Sequence, residues 1–119
     1  MKNYKVIIHI DEMTKWKLLL TNVSNLLKAT GEDNYSVEVL ANAEAVKYYA
    51  KNQHALDFDN DVKTMESLNQ QGVKFVACSN ALMANNLKKD NLYDYVETVP
   101  AGVIELVVKQ NEGYCYIKP

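Results

Sequence analysis

At 119 residues the chain is long enough for one domain, 1–119, with a single core, and too short for two. Its 48% hydrophobic and 24% charged residues are the proportions of an ordinary soluble globular protein. A net charge of −2 gives no electrostatic reason to expect nucleic acid or an anionic membrane as partner.

The amino terminus runs straight into a strand-like segment, Met1-Lys2-Asn3-Tyr4-Lys5-Val6, with no signal-peptide core. Val6-Ile7-Ile8-His9-Ile10 is a β-branched run expected of a strand covered on both faces. Trp16, Leu19, Leu20, Val23, Leu26 and Leu27 follow at helical spacing, and Gly31 suits the position just past that helix. Ser36–Leu40 reads as a second strand, and Asn42 as the cap of a short helix carrying Val46 and Tyr49. Lys51–Asp59 reads as a polar loop before a helix with Val62, Met65 and Leu68 on its buried face, stopped at Gly72. A third strand, Val73–Ala77, leads through Cys78 into a helix for which Ser79 and Asn80 are good caps. Tyr95–Thr98 is a short fourth strand. Pro100 suits the first turn of a last helix, with Val103, Leu106, Val107 and Gln110 as its inner stripe. Tyr114–Ile117 closes the chain as a fifth strand. Strands separated by helices call for an α/β fold, a parallel sheet with helices on both faces. Strand order is not fixed by this pattern.

Several chemistries are excluded. All thirteen basic residues are lysines, so the residue best suited to a bidentate grip on phosphate is absent. The four glycines fall at helix ends and turns, leaving no GxGxxG and no phosphate loop, and there is no GxSxG elbow. No cofactor is therefore expected. The two cysteines and two histidines do not have metal spacing, so no metal is expected either. No apolar run approaches membrane-spanning length; a reducing, cytoplasmic setting with free thiols is the expectation.

Cys78 is the most informative residue. A thiol where a strand ends and a helix begins lies near the positive end of the helix dipole and near unpaired N–H groups, which favour the thiolate. Cysteine is also a common core filler, and that alternative stays open. His9, near the carboxyl end of the first strand, is placed to share a proton with such a thiol if that strand is central, or to be a core histidine bonded to a carbonyl. Ser79 and Asn80 follow the thiol directly. Asn22 lies beside the apolar stripe of the first helix, facing a crevice, a subunit interface or solvent. Cys115, between Tyr114 and Tyr116, reads as packing.

His9, Trp16 and Asn22, then Val73-Lys74-Phe75-Val76-Ala77-Cys78-Ser79-Asn80-Ala81-Leu82, form a pattern that resembles the DsrE/DsrF-like family. So do Val99-Pro100-Ala101-Gly102-Val103, Gln110-Asn111-Glu112-Gly113-Tyr114 and Tyr116-Ile117-Lys118-Pro119, and the similarity covers essentially the whole chain. The resemblance implies a three-layer α/β/α sandwich with a five-stranded parallel sheet, and homo-oligomers, either trimers or hexamers. It also implies a cysteine at the end of the third strand, here Cys78, that carries sulfur as a persulfide between donor and acceptor proteins. The relay members act with sister subunits, whereas this chain looks like the stand-alone branch. The expected function is sulfur carriage at Cys78, without a complete catalytic constellation. The alternatives are a non-catalytic small-ligand-binding or assembly module, and a thiol redox sensor with Cys115 as the resolving thiol.

Overall fold

The computed structural model describes residues 2–51 and 59–119. Five strands are present among them: β1 (Asn3–Ile10), β2 (Asn34–Ala41), β3 (Lys74–Cys78), β4 (Glu97–Val99) and β5 (Cys115–Ile117). They alternate with α1 (Trp16–Thr30), α2 (Asp59–Gln70), α3 (Ser79–Ala84) and α4 (Gly102–Asn111), and with a 3-10 segment, Ala43–Tyr49. Every pairing is parallel, in the order β4-β3-β2-β1-β5.

The order explains the layers. From β1 to β4 each crossover moves one strand in the same direction, so right-handed connections put α1, the 3-10 segment, α2 and α3 on one face. The step from β4 to β5 travels back across the whole sheet, and its helix, α4, lands on the other face. The packing agrees. Val6, Ile8, Val39, Phe75 and Ala77 face the main core with Trp16, Leu19, Leu20, Val23, Met65, Leu68 and Leu82. Ile7, Leu40 and Val76, one residue out of phase, face a small second cluster with Leu106 of α4. The β-branched run of β1 is thus covered on both sides, as its sequence pattern requires.

The expected stripe of α1 is buried at Trp16, Leu19, Leu20, Val23 and Leu27, and Gly31 ends the helix at φ 61°, where a side chain would strain the backbone. Trp16 stacks on Tyr48 at a ring separation of 4.7 Å and donates its indole N–H to the Ala45 carbonyl at 3.0 Å. Residues 52–58, most of the polar loop expected between Lys51 and Asp59, lie outside the described residues.

Four expectations need correction. The sheet is centred on β2, not on the strand that carries His9. The residue capping α3 is Cys78 itself, so Ser79 and Asn80 are the first helical residues, not caps. Pro100 stands two residues before α4, whose cap is Ala101. The inner face of α4 is also narrower than its periodicity suggested. Leu106 packs on the sheet, but Val103 is 69% exposed and Val107 47%, with Ile104 and Val108 beside them. Gln110 is exposed as well.

Candidate functional site

The site is built where connections diverge. After β3 the chain turns to α3 on one face; after β4, its neighbour, it turns to α4 on the other. In an open parallel sheet such a parting of connections leaves a crevice at the carboxyl ends of the two strands, the usual place for a ligand. Cys78 pairs in register with Val99 at that point.

Three segments converge there. Cys78 is the last residue of β3, with extended backbone at φ −72°, ψ 121°, and is 4% exposed. Asn42 follows β2; its backbone N–H donates to the Ile10 carbonyl at 2.8 Å, and its side-chain oxygen accepts from the Ala43 N–H at 3.1 Å. Gly102 opens α4 so close by that a Cβ there would lie 2.9 Å from Asn42 Nδ2 and 3.4 Å from the Cys78 Cβ. Ala43 takes φ 48°, a left-handed conformation uncommon for alanine, and Asn85 Nδ2 holds its carbonyl at 3.2 Å. The turn after β2 is thus tied to the end of α3. Asn42 had a sequence signal, as a cap, but nothing in the sequence put it beside Cys78. Gly102 has a sequence signal only as part of the motif Val99-Pro100-Ala101-Gly102-Val103. Both become site residues once β2, β3 and β4 are known to be neighbours.

The other sequence candidates are dispersed. Ser79 is half-buried and Asn80 exposed on the first turn of α3, adjacent to Cys78 in the chain. Asn22 is exposed on α1, in the layer opposite α4. His9 pairs with Leu40, which pairs with Val76. It therefore lies two strands across and two residues short of Cys78, about 12 Å by strand spacing and rise. Its Nδ1 bonds instead with the Tyr116 hydroxyl at 2.9 Å, and among the described residues none reaches its buried Nε2. Burial lowers the His9 pKa, helped by Lys118 and opposed by Asp11, so the ring is neutral at neutral pH. Asp11 and Lys118 pair with each other at 3.2 Å. Among the described residues no three His, Cys, Asp or Glu side chains gather as metal ligands. A groove of about 340 Å³ lined by Ser24, Leu27, Leu68 and Gln71 lies between α1 and α2 and includes none of the crevice residues.

A second polar group lies deeper under α4. Glu38, in the middle of β2, is 4% exposed. Burial, then the neighbouring Glu105, push its carboxyl up to about 8 against the opposing pull of Lys109 and Lys74. A lone Glu in a strand is normally a solvated position, so nothing in the sequence singles Glu38 out.

A model of the DsrE/DsrF-like family matches residues 10–119. The chain belongs to that family. Solved structures match the fold. A protein of unknown function from Methanobacterium thermoautotrophicum, MTH1491, is 35% identical; the match covers 98% of this chain and 99% of that one, with a TM-score of 0.83. The ychN protein from E. coli is 16% identical, with coverage of 98% and 99% and a TM-score of 0.74, and shows the same fold. No curated protein matches. The DsrE-like sheet and layers are therefore common to all three chains, and in this one they put Cys78 at the parting of β3 and β4.

Proposed function

We propose that this DsrE-like chain is a sulfur carrier that holds a persulfide on Cys78. What supports the reading is the position of that thiol, at the end of the third strand, in the crevice between β3 and β4 and at the head of α3. The chemistry is an exchange without net redox change. The Cys78 thiolate attacks the outer sulfur of a donor persulfide, a new S–S bond forms, the donor's S–S bond breaks, and the donor leaves as a thiolate with the electron pair. An acceptor thiolate then attacks the outer sulfur on Cys78, and Cys78 leaves in turn. Backbone N–H groups at the strand-to-helix turn suit the anionic intermediate, which needs neither a metal nor an arginine. Donor and acceptor are other thiol proteins in a reducing cytoplasm. Ser79 and Asn80 follow the thiol at the head of α3, while His9 and Asn22 stand apart from it.

The homo-oligomer belongs to the same proposal, as a trimer or hexamer. Val103, Ile104, Val107 and Val108 form an exposed apolar stripe on α4 that suits a second copy.

The 4% exposure of Cys78 favours one alternative, a small-ligand-binding or assembly module with an inert thiol. Redox sensing through Cys115 is disfavoured. Cys115 is exposed on β5, three strands away and five residues lower in register, roughly 20 Å from Cys78, whereas a disulfide needs Cα atoms within about 7 Å.

The test is intact-protein mass spectrometry after incubation with a sulfane-sulfur donor, for wild type and Cys78→Ser. A gain of one sulfur in the wild type alone, removed by a thiol reductant, is the expected result. No adduct in either protein, with Cys78 also unreactive to alkylation, leaves the binding module.

A further inference from the structure

We propose that the side-chain amide of Asn42 donates a hydrogen bond to the outer sulfur of the Cys78 persulfide and so holds that anion in the crevice. The inference rests on the carrier reading of Cys78 and adds to it the residue that binds the cargo.

Strand register brings the two residues level. Leu40 pairs with Val76 and Ala41 with Ala77, so one further step along the two parallel chains sets Asn42 beside Cys78, about 5 Å away. Alternation puts them on one face. Leu40 and Val76 point toward α4, and Asn42 and Cys78, two residues on, point the same way. Gly102 gauges the gap between them. The point where its Cβ would stand is 2.9 Å from Asn42 Nδ2 and 3.4 Å from the Cys78 Cβ. With glycine there, no side chain from α4 fills the space.

The amide is also oriented. Its oxygen accepts from the Ala43 N–H at 3.1 Å, so the nitrogen is the atom turned toward Gly102 and Cys78. Among the described residues no acceptor takes an Nδ2 proton. The turn that carries the amide is fixed at both ends. The Asn42 backbone N–H donates to the Ile10 carbonyl at 2.8 Å. Ala43, at φ 48°, offers its carbonyl to Asn85 Nδ2 at 3.2 Å, and the same nitrogen donates to the Ala81 carbonyl of α3 at 2.7 Å. A donor held in this way has little freedom left to lose on binding.

The chemistry needs such a donor. Loading extends the thiol by one S–S bond of about 2 Å and moves the negative charge out to the new sulfur. That reach is enough to meet an amide on the neighbouring strand. A hydrogen bond to an anion is roughly twice as strong as one between neutral groups, and the chain has no arginine to supply it. Cys78 is nearly closed off from water, so solvent competes little for the sulfur. Asn42 makes and breaks no covalent bond; it favours the loaded side of the exchange.

The experiment equilibrates the protein with glutathione and glutathione persulfide at a fixed ratio and neutral pH. Cys115→Ser is the background, so that Cys78 is the one thiol. Intact mass gives the loaded fraction and hence an exchange constant, which a mere change in access to the thiol does not move. Asn42→Ser keeps a capping oxygen on a shorter side chain, and Asn42→Asp keeps the cap but replaces the donor with a negative charge. The constant should fall about tenfold in Asn42→Ser and further in Asn42→Asp. Equal constants in all three proteins overturn the donor, as does a fall in Asn42→Asp with none in Asn42→Ser, which reports charge repulsion alone. A parent protein that takes up no sulfur overturns the carrier reading itself, so the two failures are told apart.

Discussion

Gly102 is the residue on which the crevice closes. Alanine at the start of a helix is ordinarily favourable, by up to about 1 kcal/mol over glycine. Here the added methyl meets Asn42 at 2.9 Å, and Asn42 is not free to swing, because its oxygen caps Ala43. Gly102→Ala should therefore destabilise the protein by about 1–2 kcal/mol, lowering the melting temperature by several degrees, and should change the alkylation rate of Cys78. An unchanged melting temperature and rate would mean that α4 sits less tightly on β3 than its position indicates. Trp16 is the corresponding test of the other layer. Trp16→Phe loses the bond to the Ala45 carbonyl and part of the stack on Tyr48, and should cost about 1–3 kcal/mol in denaturant titration without altering Cys78. Cys78 was legible as a candidate because it stands where a strand gives way to a helix, and Trp16 as a core position because it opens the apolar stripe of α1. Asn42 and Glu38 were not, since what gives them meaning is a neighbour far away in sequence, Gly102 and Lys109 of α4.

At the scale of the element, α1 and α4 make an instructive pair. Both show a helical apolar stripe, and in α1 the stripe and the buried face coincide. In α4 they do not, because four of its apolar residues lie outside while Lys109 turns inward to Glu38. Periodicity tells how many faces a helix has, not which surface each one meets. A helix whose apolar face points away from its own sheet has a second use for it. Ile104→Glu or Val107→Glu should leave monomer stability within about 0.5 kcal/mol, as for ordinary surface changes. The same variants should shift the mass in solution, read by light scattering, from the oligomer toward the monomer. An unaltered mass would move the contact between copies elsewhere.

For the whole molecule, strand order decided what the sequence left open. His9 was placed near Cys78 on the assumption of a central first strand; with β2 in the centre it serves the β1–β5 side and bonds Tyr116. The fold class itself was legible, because alternation of β-branched runs with amphipathic helices leaves few other solutions. The protein is also expected to respond to pH as a unit. The proton held by Glu38 in the folded state and released on unfolding makes stability fall between about pH 4.5 and 8 and then level off. Thermal melts of Glu38→Gln should show a flatter dependence over that range, and a slope equal to the wild type's would assign the effect to other groups.

The sheet tapers from two eight-residue strands, β1 and β2, to three residues at either margin, β4 and β5. Each margin therefore offers only a few unpaired N–H and carbonyl groups, too short a row for another chain to add a strand. Self-association of the kind proposed would then run through side chains rather than backbone ladders. Where such side-chain contacts are related by a closed rotational symmetry, they stop at a small number of subunits.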